Sequence, residues 1–174
     1  MTIAIRQARI LDGLGHRFER GTVIIEGSRI LAVGSDANVR LPQGARRIDG
    51  RGLTVLPGLI DCHVHLCLGA EADVVAAVER DSSTLTLLKA AELARRTLQA
   101  GFTTVRDVGF RDHAIFALKQ AIQSGVTPGP RVLAAGLAIW TIQFARRWAH
   151  LASLKSWKSP RVPWGIQTGI ASRS

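Results

Sequence analysis

Hydrophobic and polar positions along this chain follow two rhythms. Up to residue 56 the apolar runs are short, rich in β-formers, and separated by glycine-bearing turns. They fall at 3–11, closed by Asp12-Gly13-Leu14-Gly15; at 22–25, closed by Glu26-Gly27-Ser28; and at 29–33, closed by Gly34-Ser35. Two more, 46–49 and 53–56, are split by Gly50-Arg51-Gly52. Strands so punctuated predict a small β-sandwich or sheet. Gly13-x-Gly15 is not a dinucleotide fingerprint, because no helix follows it and the third glycine is missing.

After Pro57-Gly58 the period lengthens. An apolar strand is predicted at 59–66, then a helix at 85–100 whose Leu87, Ala91, Ala94 and Leu98 form one stripe. Glu92 stands four residues before Arg96 on its wet face, and Gly101 supplies the stop. A strand at 103–108, a helix at 114–123 and a strand at 131–139 complete the series. Strand and helix alternating at this spacing imply a parallel sheet, and strands apolar on both faces suit one covered on both sides.

The first of these strands carries the chemistry. Side chains alternate with period two along a strand, so His63 and His65 share a face, with Asp61 and Cys67 on the same parity. Two imidazoles so placed can both reach one metal ion, at about 2.0–2.1 Å per Zn–N bond. The competing reading is a pair of histidines that pack or hydrogen-bond. Asp61 has two readings, orienting a ligand histidine or satisfying nearby backbone donors. Asp107 ends the next strand and is a candidate to line the site. Arg106, of opposite parity, is expected to face a crossover helix or pair with an acid. Cys62 is expected to be a small buried core residue. Cys67 lies beyond the motif and is not assigned as a ligand, while His16 in a turn and His113 near a helix start carry no assignment.

Composition changes this picture at one end only. The 174 residues are 47% hydrophobic and 21% charged, a globular balance with no run near the roughly 20 apolar residues of a membrane helix. Residues 1–9 have no apolar core of a secretory signal, and two cysteines make no disulfide framework, so a cytoplasmic location is expected. The formal charge of +10 invites an anionic partner. Residues 1–139, however, hold 17 Lys and Arg against all 13 Asp and Glu, whereas residues 140–174 hold six Lys and Arg and no acid. All four tryptophans, Trp140, Trp148, Trp157 and Trp164, also lie in that last stretch.

Residues 1–139 resemble the N-terminal part of the amidohydrolase superfamily of metal-dependent hydrolases. The resemblance rests on Leu56-Pro57-Gly58-Leu59-Ile60-Asp61-Cys62-His63-Val64-His65-Leu66. It is supported by Gly101-Phe102-Thr103-Thr104-Val105-Arg106-Asp107-Val108-Gly109 and by Gly129-Pro130-Arg131-Val132. The combination is similar to the imidazolonepropionase-like branch, which includes Xaa-Pro dipeptidases. It implies an α/β fold, a (β/α)8 TIM-type barrel preceded by a small β-sandwich, with a metal site at the C-terminal ends of the barrel strands. It also implies that His63 and His65 are the first two ligands of a divalent metal, zinc first, one or two ions in the complete enzyme. The further ligands of the family are a Lys on the fourth strand, His residues on the fifth and sixth, and an Asp on the eighth. The implied reaction is hydrolysis of a C–N bond in a small amide or dipeptide by a metal-activated water, with the late Asp moving the proton.

Set against that family, the barrel is incomplete. A full barrel takes about 250 residues, and 120 run from Val55 to Ser174. About three βα units are expected in them. The last acid in the chain is Asp112, so no general-base Asp follows it and no catalytic set is complete. The expected organisation is 1–54 as the sandwich portion, 55–139 as the start of the barrel, and 140–174 as a divergent basic tail. Out-of-frame sequence is the leading reading of the tail, with a spliced or recombined end and a true divergent tail as the alternatives; a helix over 142–158 is one reading of its local structure, with breakers from 159 on. A truncated hydrolase inactive alone is the leading expectation, with self-association through open sheet edges. The alternatives are a nucleic-acid- or acidic-surface-binding module using the tail, and a non-catalytic chain that completes a site with a partner.

Overall fold

The structure is a computed structural model that describes residues 1–69 and 72–138. The first rhythm folds as one five-stranded sheet. Its strands are β1 (Thr2–Leu11), β2 (Arg17–Glu26), β3 (Arg29–Ser35), β4 (Arg46–Asp49) and β5 (Thr54–Val55). The order is β3-β2-β1-β4, with β5 also on β1. β1 to β3 form an antiparallel meander, and β4 and β5 run parallel to β1. The β1–β2 turn is built by Asp12, whose carboxylate accepts the amides of Leu14 at 2.7 Å and His16 at 3.1 Å. β2 starts earlier than its apolar run, because polar residues from Arg17 onward still find partners on β1, as in the Arg17–Leu11 pair.

The second rhythm folds as a parallel sheet, β6 (Leu59–Val64), β7 (Phe102–Asp107) and β8 (Arg131–Ala134), in that order. Between β6 and β7 come α1 (Val74–Arg80) and α2 (Ser83–Gln99), and α3 (Ala114–Gln123) links β7 to β8. Val105 and Val132 from the sheet pack with Ala90, Ala94, Ile115 and Leu118 from α2 and α3 in one buried cluster. The antiparallel meander and the parallel sheet together make the fold α/β.

Three details depart from the sequence pattern. α1 was not expected; Asp73 caps it by accepting the Ala76 amide at 3.0 Å. The buried side of α2 is Thr86, Ala90 and Ala94, which keeps Ala94 of the expected stripe and otherwise lies one position round from it. Leu87 and Ala91 pack only partly against the cluster, because the small alanines let the helix approach the sheet and α3 closely. β8 stops at Ala134, short of 139, since Gly136 takes φ +85° and turns the chain. Pairing resumes as a single bridge between Leu137 and Phe110. Residues 140–174, including the helix expected over 142–158, lie outside the described residues.

That bridge presses the 136–138 segment against the loop after β7. Gly109 there has φ +114°, and a Cβ on it would lie 2.7 Å from the Ala138 backbone. Gly125 also has positive φ, +75°, but open space around it. Gly109→Ala is therefore expected to cost at least about 2 kcal/mol, and Gly125→Ala only about 1 kcal/mol of backbone strain. Urea unfolding followed by circular dichroism compares the two; equal costs would contradict the close approach.

Candidate metal centre

The two histidines sit where β6 ends. β6 does not run as a regular strand to that point. Asp61 pairs with Val105 and Val64 with Asp107, so three steps on β6 oppose two on β7. The extra residue is a bulge across Cys62 and His63, a feature that re-aims side chains beside functional sites. Simple alternation therefore does not govern this stretch, and His65 lies just past the strand. The rings nevertheless meet, with centroids 5.5 Å apart and planes at 75°. His63 is exposed and His65 half-buried.

His65 is oriented by one bond. Its Nδ1 lies 2.8 Å from the Gly109 carbonyl oxygen. A carbonyl oxygen can only accept, so Nδ1 is the protonated nitrogen and donates. In the neutral ring this leaves Nε2 with its lone pair, the state a metal ligand requires.

The acids of the motif do different work. Asp61 Oδ1 accepts the His63 amide at 2.9 Å, the backbone role that was one of its two readings. Asp107 is fully buried. Its Oδ2 accepts the Leu66 amide at 2.8 Å and its Oδ1 the Gly109 amide at 2.9 Å. It holds the backbone under His65 in place of an open pocket wall. Buried carboxylates demand such donors, because leaving one unpaired costs several kcal/mol.

Cys62 is exposed and not the core residue expected: it lies on the same open side as Ile60, itself 65% exposed, of β6, which is a sheet edge among the described residues. Cys67 is the buried one, and burial, with the charges of Asp107 and Asp112 behind it, pushes its thiol up to about 12. A thiol that resists ionisation makes a poor ligand. Arg106 is exposed on β7. His16 bonds to Asp12 in its turn at 2.7 Å, and His113 precedes α3 without a capping bond.

Two residues important to this geometry, Gly109 and Leu66, act through backbone atoms. Only the Asp107-x-Gly109 spacing hinted at the first. Among the described residues no group of three or more His, Cys, Asp or Glu converges on one point. The donors fit the first two positions of a metal site and not a complete four-ligand one.

Comparison with known proteins bears on the family of the chain. The model of the amidohydrolase family matches residues 54–153. A dihydroorotase from Lactococcus lactis subsp. lactis (strain IL1403) is 40% identical over 65 residues, 37% of this chain and 15% of the relative. An imidazolonepropionase from Chloroflexus aggregans (strain MD-66 / DSM 9485) is 34% identical over 137 residues, 59% of this chain and 32% of the relative. The solved structure of a Xaa-Pro dipeptidase with bound methionine superposes with a TM-score of 0.70 at 29% identity, over 91% of this chain and 38% of that one. The chain thus spans less than two fifths of the length of each of these relatives. The matched segment runs past residue 139, so family likeness and the change in composition do not end together. With more than half of its residues matched, this chain belongs to the amidohydrolase family.

Proposed function

We propose that this chain is part of a metal-dependent hydrolase that cleaves a C–N bond in a small amide or dipeptide, and that alone it is inactive. The observation that carries the reading is the His63–His65 pair at the C-terminal end of the first parallel strand, one ring already held with Nε2 free. In this reading β6, β7 and β8 are the first three strands of a (β/α)8 barrel, and the N-terminal strands form part of a small β-sandwich. Segments 1–54 and 55–139 are the corresponding units. His63 and His65 hold a divalent metal, zinc first, by their ring nitrogens. When bound, such an ion lowers the pKa of a coordinated water and polarises a carbonyl. The chain's own residues position these two ligands: the bulge aims His63, and Gly109 fixes the ring of His65. The remaining ligands and the proton-moving Asp are not assigned to any residue of this sequence. The imidazolonepropionase and Xaa-Pro dipeptidase relatives support a small amide or dipeptide substrate.

The test is zinc binding to the whole 174-residue chain. Millimolar zinc is expected to perturb both histidine rings, and His63→Ala or His65→Ala to abolish the response. Metal analysis after gel filtration is expected to find well under one zinc per chain. A chain that retains a full equivalent would show the site to be complete, and rings indifferent to zinc would sink the metal reading.

The same reading bears on association. β6 and β8 are the edges of the parallel sheet among the described residues, and Ile60 and Leu133 on them are 65% and 53% exposed. Unpaired edges with apolar side chains recruit other chains. Self-association is expected when the chain is expressed alone, read by sedimentation velocity. A clean monomer with a sharp two-state melt would contradict it.

A further inference from the structure

The buried Asp107 bridge touches both ends of the one hydrogen bond that orients His65. Its Oδ2 holds the amide of Leu66, the residue directly after His65. Its Oδ1 holds the amide of Gly109, whose carbonyl takes the proton of His65 Nδ1. From the opposite side Gly109 is backed by Ala138, with no room for a Cβ. The carboxylate, the glycine and the imidazole form one closed unit that joins the end of β6 to the end of β7.

We infer that Asp107 is a positioning residue whose carboxylate sets the tautomer of His65. It holds the Gly109 carbonyl against Nδ1, so the ring presents Nε2 as its lone pair before any metal arrives. The inference rests on His65 being a ligand, as proposed above, but its central claim concerns the metal-free ring. A carboxylate suits the task because both of its oxygens accept. Asparagine has the same shape but offers one acceptor and an NH2 group, so one of the two amides would face a donor. A purely structural bridge would cost stability on that change, yet leave the ring's proton where it is in molecules that remain folded. A positioning bridge moves it.

The test follows the imidazole nitrogens of the whole metal-free chain, with isotope-labelled histidine and magic-angle-spinning NMR, which tolerates association. His65 is assigned by comparison with His65→Ala. At pH 8 His65 is expected as the Nδ1–H form. In Asp107→Asn it is expected to become a mixture of tautomers, with zinc binding at the ring weakened about tenfold or more. An Nε2–H ring in the wild-type chain, or an unchanged Nδ1–H ring in a folded Asp107→Asn chain, would overturn the inference. If that variant does not fold, Asp107→Glu takes its place, which keeps both acceptors but displaces them by one methylene: a His65 proton that shifts in the folded chain upholds the inference, and an unchanged Nδ1–H ring overturns it. A ring that is Nδ1–H in the wild type, shifts in the variant and ignores zinc leaves the positioning role standing while the metal reading falls.

Discussion

A carboxylate with no access to water must find donors inside the protein, and around Asp107 that requirement organises the site. Its two acceptors are matched by two backbone amides, Leu66 and Gly109, that belong to different strand ends. Charge-assisted bonds of this kind are stronger than neutral ones, and here they act where strand pairing gives out. β6 ends at Val64 and β7 at Asp107 itself. Beyond them the chain is held by the carboxylate, by the Val108 amide on the Val64 carbonyl at 3.0 Å, and by the Phe110–Leu137 bridge. The ends of three parallel strands are thereby fixed as one platform, and the histidine pair stands on it.

The cluster beneath explains why the platform can be rigid. Phe110 is buried just past the loop that carries Gly109, together with Leu66 and Cys67 from the segment after the histidines. The same few residues therefore alternate between backbone bonds that shape the site and side chains that anchor it. Salt bridges on the outer faces contribute less. Glu92 on α2 accepts from both Arg95 and Arg96, which hold its carboxyl down to about 2, but the group is open to solvent.

Much of the fold was legible in the sequence because it depends on local periodicity. The strand–helix alternation from residue 59 to 134, the helix with its stop at Gly101 and the turn signals of the first half all reflect rules that act within a few residues. What the pattern does not carry depends on distant partners. Gln7 takes φ +58° inside β1 and gives its amide to Asp36 at 3.2 Å. α2 buries Ala90 in preference to Leu87 because of what it packs on. Cys62 is exposed because β6 is a sheet edge among the described residues, with Ile60 two positions before it likewise open.

The sequence by itself determined the kinds of residue at the site: two histidines two apart at the end of an apolar strand, and an acid at the end of the next. It also determined that acids are absent after Asp112. Only the tertiary structure decided what those residues do. Period two pairs His63 with His65, and the structure places their rings 5.5 Å apart beside a bulge that no residue type announces. Asp107 is a latch on two amides and not a pocket wall, and the nitrogen that His65 leaves free is chosen by a carbonyl 44 positions away. Hydrogen bonds to backbone atoms leave no trace in residue type, so a one-dimensional pattern can name the ligands without showing which lone pair each will offer.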